Sequence, residues 1–214
     1  MKSNDISLAK FGNHFSFIYK NEEQLFLVLI PFFIEGLMNN QKCVWITDII
    51  SKKNIVAEFS QRNVDMMKFI KSGQLLIAAS EDIYLSNGYF DPESTISSLK
   101  QSEQQTLSEG YTGLRIVGEA TGILKGKNGR KKLMEYEISL GNFFPGSKVI
   151  AICLYNEENI EPNLLAESMH CHPELIFYDK LCDNLYYSPS QSADKSKPLP
   201  VGSYELMKED FVNK

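Results

Sequence analysis

Two rhythms of apolar and polar positions take turns along this chain. Residues 14–19 (HFSFIY) are aromatic and β-branched, the composition of a short strand. Residues 22–38 are apolar nearly all round in their middle, which predicts a helix buried on more than one side. Residues 43–47 (CVWIT) form a continuous apolar run, the pattern of a central strand covered on both faces. A second helix is predicted over 55–61 and a third strand over 74–80 (QLLIAAS). Asp91 then stands as an N-cap, Pro92 as the first helical residue and Gly110 as the stop. The apolar positions of that helix are only Ile96, Leu99 and Leu107, so it should lie on the outside of the sheet. A fourth strand with its exit follows at 113–121 (GLRIVGEAT), a helix at 131–144 and a fifth strand at 148–155 (KVIAICLY). A short helix at 164–169 and an edge strand at 175–178 complete the pattern.

Strand and helix alternate throughout, which favours an α/β, three-layer fold: a mostly parallel sheet with helices on both faces. With 214 residues, 43% of them hydrophobic, the chain can bury one sizeable core, so one domain over 1–187 is expected. Residues 188–203 (SPSQSADKSKPLPVGS) are rich in Ser and Pro, and 188–214 reads as a flexible C-terminal tail.

Charge and cysteine usage narrow the partners. With 22 basic against 27 acidic residues the net charge is -5, and the basic positions form no stripe beyond Arg130, Lys131 and Lys132, which argues against direct nucleic-acid binding. The most apolar run, 25–38, is interrupted by Pro31 and Glu35 and is shorter than the roughly 20 residues a membrane span needs. No secretory signal is visible in MKSNDISLAKFGNHF. Cys43, Cys153, Cys171 and Cys182 are widely separated, without CxxC spacing, and two lie inside apolar runs, as expected of buried thiols in a reducing cytoplasm.

The turn after the first strand is YKNEEQ, where a nucleotide-binding fold would carry its glycines. It contains neither GxGxxG nor GxxxxGK[ST], and Glu22 and Glu23 place negative charge where phosphate would sit. Ligands of open parallel sheets bind beyond the carboxyl ends of the strands. That rule selects Tyr19 and Lys20, Thr47 and Asp48, Ser80 and Glu81, Glu119 and Thr121, and Tyr155 and Asn156. Glu119 can serve as a ligand contact or as a structural partner of Lys20 or Arg115. Arg115, between Leu114 and Ile116, is expected to need a carboxylate, with ligand recognition as its other reading. Tyr19, Trp45, Phe32, Phe33 and Tyr155 can line an apolar pocket or simply fill the core.

His14 opens the first strand, about 17 Å from the carboxyl-end rim, and should not share a site with Glu119. Hydrogen bonding at the amino end of the sheet is its preferred role, with metal ligation or proton sensing as the alternative. His170, Cys171 and His172 are the densest group of potential metal ligands, yet no second CxxC or HxxxH completes a zinc set, so no metal is assigned and a loop closed by Pro173 is preferred. Neither GxSxG nor HExxH occurs, and no cofactor or catalytic residue is expected.

The set His14, Phe15, Tyr19, Pro31, Phe32, Gly36, Leu37 and Cys43, with the CVWIT strand, resembles the MEDS domain, the methanogen/methylotroph DcmR sensory domain. GYTGLRIVGEAT, the helix around Glu135 to Glu137, the run from Ile152 to Tyr155 and the loop from His170 to Pro173 resemble later parts of that family, so the likeness spans about 10–187. It implies a RecA/KaiC-like core that has lost its phosphate loop and serves as a non-catalytic cytoplasmic sensor. It further implies a small hydrocarbon derivative as signal, a separate signalling partner and a capacity for homo-oligomers. Relatives of this kind are typically joined to histidine kinase or DNA-binding modules; the present sequence shows none, as expected of a stand-alone sensor or an isolated sensory region. The tentative ligand-binding residues are Tyr19, Trp45, Arg115, Glu119, Tyr155 and His14. A degenerate RecA-like nucleotide-binding ATPase and a protein-interaction adaptor are the competing functions.

Overall fold

The computed structural model describes residues 6–85, 88–188 and 200–212. Among the described residues seven strands form one sheet: β1 (His14–Tyr19), β2 (Lys42–Ile46), β3 (Leu75–Ala78), β4 (Leu114–Glu119), β5 (Val149–Asn156), β6 (Glu174–Phe177) and β7 (Lys180–Asp183). Their order is β3-β2-β4-β5-β1-β6-β7. All pairs are parallel except β6 with β7, a hairpin. β1 thus lies deep in the sheet, bonded to β5 on one side and β6 on the other, and all six of its residues are buried. The predicted edge strand at 175–178 is realised as β6, but β7 covers it, so it is not an edge.

Helices cover both faces. On the first lie α1 (Glu22–Met38), α2 (Lys52–Ser60) and α3 (Met66–Lys71), packed on Phe15, Phe17, Cys43, Trp45, Val117 and Ile152. On the second lie α4 (Ser80–Tyr84), α5 (Pro92–Ser108), α6 (Ala120–Leu124), α7 (Gly129–Phe143), α8 (Pro162–Cys171) and α9 (Ser203–Val212), packed on Ile18, Ile46, Ala151 and Tyr155. Successive strand residues point to opposite faces, so each strand divides its side chains between two separate cores. Asp91 caps α5 through Ser94 N at 3.0 Å, with Pro92 in the first turn, as its sequence predicts.

The short elements α3, α4, α6 and β7 are not predicted from sequence. Each has at most six residues, too few for a period to declare itself. The expected flexible tail falls partly on residues outside the described ones. Within those described, α9 is a helix whose Tyr204, Met207 and Phe211 are buried, with Phe211 stacked on Phe177 at 5.5 Å.

Candidate functional site

Where a phosphate loop would lie, the N-terminus of α1 is occupied by its own side chains. Asn21 caps the helix by accepting from Gln24 N at 3.0 Å, and Gln24 Oε1 reaches back to accept from Lys20 N at 2.8 Å. This reciprocal box engages two of the donors that an anion would need. Glu22 and Glu23 in the first turn add favourable charge to the helix dipole.

Glu119, at the carboxyl end of β4, is 2% exposed. Its Oε2 accepts from Asp48 N at 2.7 Å, Thr47 Oγ1 at 3.1 Å and Ile49 N at 3.3 Å, and so fixes the turn leaving β2. These partners replace the expected Lys20 or Arg115. The Tyr19 hydroxyl lies against Asn156 and Glu119; burial first, then the Glu119 charge, pushes its pKa well above the usual tyrosine value. Beside this network a cleft of about 630 Å³ opens between the exits of β2 and β3, with Thr47, Asp48, Ile50, Ile77, Gly122 and Lys125 among its walls. Asp48 Oδ1 accepts from Ser80 N at 2.9 Å and ties the two exits together.

Arg115 and Trp45 lie elsewhere, on the face under α1. The buried Arg115 guanidinium donates to Gln41 Oε1 and, at 2.9 Å, to the Phe32 carbonyl, and lies over the Phe32 ring at 4.7 Å. The expected carboxylate partner is thus replaced by two neutral oxygens and an aromatic face, an arrangement that a delocalised, weakly hydrated guanidinium tolerates. Burial lowers its pKa, against the opposing effects of Cys43 and Glu35. Trp45 is fully buried and stacked on Phe33 at 5.1 Å, a core role.

His14 and Tyr155 come together on the opposite face. His14, Ser16 and Ile18 of β1 alternate onto the side facing α7 and α8, as do Ala151, Cys153 and Tyr155 of β5. There they meet Glu137 of α7 and His172, just past α8. His14 Nε2 is 3.3 Å from Cys153 Sγ and 3.4 Å from Glu137 Oε2. His172 Nε2 is 3.2 Å from the same carboxylate oxygen, and Cys153 Sγ is 3.7 Å from it. The other oxygen, Glu137 Oε1, accepts from Tyr155 OH at 2.7 Å. His14 is stacked on Phe144 at 4.5 Å, so the cluster is closed on its apolar side.

Electrostatics follow from enclosure. Burial lowers the His14 pKa to about 4, His172 adds to the effect, and the Glu137 carboxylate opposes both. Burial would raise the Glu137 pKa, but the imidazoles of His172 and His14, when protonated, outweigh it and hold the carboxyl below its usual range. The Cys153 thiol and Tyr155 phenol are pushed well up, by burial and then by the Glu137 charge.

The sequence-selected residues therefore separate into three places: Tyr19 and Glu119 at the strand exits, Trp45 and Arg115 beneath α1, and His14 and Tyr155 in the polar cluster. Glu137, Cys153 and His172 complete the cluster, and the strand-exit rule does not reach them. One signal was available for Glu137: Leu133, Tyr136, Glu137 and Leu140 share the buried stripe of α7, and a carboxylate at such a position needs polar company. His172 separates from its neighbour His170, whose Nδ1 lies 2.7 Å from Tyr186 O. The group His170, Cys171 and His172 is thus divided, and only His172 enters the cluster.

Comparison with known proteins places the chain in a family. The model of the MEDS family, the MEthanogen/methylotroph, DcmR Sensory domain, matches residues 13–173. No curated protein matches the sequence. A KaiC-like protein from the hyperthermophilic archaeon Pyrococcus horikoshii OT3 is similar in structure, with a TM-score of 0.55 and 13% identity over 78% of this chain and 70% of that one. The flagellar accessory protein FlaH from Methanocaldococcus jannaschii is similar with a TM-score of 0.57 and 14% identity, over 88% of this chain and 85% of that one. At these identities the likeness shows the fold: a divergent RecA/KaiC-like core.

Proposed function

We propose, from the premise that this chain belongs to the MEDS sensory-domain family, that it is a non-catalytic sensor which binds a small hydrocarbon derivative and signals to a separate partner protein. The cleft between the β2 and β3 exits carries this reading. It combines apolar walls from Ile50 and Ile77 with the polar groups of Thr47, Asp48 and Lys125, the mixture that a small molecule with one polar substituent requires. Its position at the strand exits is where open parallel sheets take ligands. The capping of α1 by Asn21 and Gln24 supports the same reading, because it engages donors that a bound phosphate would use. Among the described residues no helix is long and apolar enough to cross a membrane.

Thermal denaturation of the protein with a panel of short alcohols, amines, carboxylic acids and halocarbons tests the proposal. Ligand at a hundred times its Kd should add about 2.7 kcal/mol of stability. Amide chemical-shift changes should then cluster at 47–52 and 77–85. Stabilisation by ATP with magnesium, with shifts centred on 19–24, would replace this reading by the nucleotide-binding one. No stabilisation by any member of the panel at high concentration would remove it.

A further inference from the structure

We infer that His14, Glu137, Cys153 and His172 form a binding site for one divalent transition-metal ion of zinc-like preference, enclosed between the sheet and helices α7 and α8. Each residue offers one ligand atom, and these atoms all lie within 4.8 Å of one another. Four of the six distances have about the right size. Around a tetrahedral zinc ion, ligand atoms at ordinary bond lengths are separated by about 3.3–3.6 Å. Four of the separations here are 3.2, 3.3, 3.4 and 3.7 Å.

The hydrogen bonds around the cluster select the same atoms. His172 Nδ1 lies 2.7 Å from the Ser168 carbonyl, which can only accept, so Nδ1 carries the proton. In the neutral ring the Nε2 lone pair then faces Glu137 Oε2, itself an acceptor, and among the described residues buried His172 Nε2 has no other hydrogen-bond partner. Two acceptors at 3.2 Å need a positive centre between them. A proton can join one such pair. His14 Nε2 and Cys153 Sγ converge on the same oxygen, and a cation serves all four atoms at once. Outside the four ligands, the Ser168 carbonyl orients His172 and the Tyr155 hydroxyl occupies Glu137 Oε1, leaving Oε2 for the ion. Such outer partners are what orient ligands in known metal sites.

Charge also balances. With Cys153 as thiolate and Glu137 as carboxylate, a divalent ion and two neutral imidazoles give a net charge of zero in an enclosed site. On binding, the Cys153 thiol loses its proton to solvent and the thiolate lone pair forms the metal–sulfur bond. Four protein ligands fill a tetrahedral zinc shell, so the ion would tie β1, β5, α7 and the end of α8 together.

The test needs no organic ligand, so it stands apart from the sensing proposal. Because His14, Glu137 and His172 are buried and Cys153 is partly so, the full chain is expressed with zinc or cobalt supplied during growth, purified under reducing conditions and assayed for bound metal. One ion per chain is expected, with the sulfur-to-cobalt absorption of a thiolate ligand in the cobalt form. Cys153→Ser should abolish that absorption, and His172→Gln should lower metal content severalfold, while His170→Gln should leave both unchanged. Stripping metal from the wild-type protein with a strong chelator should lower its Tm, which tests the site even where a variant fails to fold. Only trace metal in the wild-type protein, or full metal content with an unaltered cobalt spectrum in Cys153→Ser, would overturn the assignment.

Discussion

At Gly36 the missing side chain is what lets Arg115 lie beneath α1. A Cβ built there would meet Arg115 Cδ at 2.5 Å and Cys43 Sγ at 3.0 Å, both buried. Gly36→Ala should therefore destabilise by about 1–3 kcal/mol through overpacking, read from denaturant unfolding. The sequence shows a glycine inside an apolar helix; that an arginine from a distant strand fills the space is visible only after folding. Glu119 teaches the same at the strand exits. Its Oε2 gathers two backbone N–H groups and the Thr47 hydroxyl, so Glu119→Ala leaves them without their acceptor. A loss of about 1–3 kcal/mol is expected, with faster amide exchange confined to 47–50. A catalytic or metal-binding carboxylate would give a different result, function lost with stability little changed.

Among the elements, α9 shows what a short segment gains from context. Glu157, just beyond β5, accepts from Tyr204 OH at 2.8 Å and Lys208 Nζ at 2.5 Å of α9, and from Tyr178 OH at 2.9 Å. Burial would raise its pKa, but these three donors together lower it. A carboxylate with a lowered folded-state pKa contributes stability above its unfolded value, and that contribution is lost as pH falls through the folded one. Acidification below the usual carboxylate range should thus release α9 before the sheet melts, measured as loss of exchange protection in 203–212 with β1 and β5 still protected. Glu157→Ala should do the same at neutral pH, at a cost of about 1–3 kcal/mol. The spacing of Tyr204, Met207 and Phe211 is helical, but ten residues behind a Ser- and Pro-rich stretch seldom hold a helix alone. Packing on Phe177 and the Glu157 contacts supply the difference.

For the whole molecule, the sheet order decides which strands are most protected. β4, β5 and β1 occupy the middle, while β3 and β7 are the edges. Native-state hydrogen exchange should be slowest in the first three and fastest in the edge strands, a hierarchy that a uniform loss of protection would contradict. By itself the sequence determined the alternation of strands and helices, the ends of β1 and α1, and the cap and stop of α5. Those features rest on local period and local hydrogen bonds, which lie within a few residues of one another. It also determined that YKNEEQ carries no glycine cradle, because that is a matter of composition. Only the tertiary structure decided that His14 and Tyr155 share an enclosed cluster with Glu137, Cys153 and His172, while Trp45 and Arg115 lie under α1 on the other face. Those residues are up to 158 positions apart, as His14 and His172 show. Their meeting depends on strand order and on which side of the pleat each residue takes, and a one-dimensional pattern encodes the second of these but not the first.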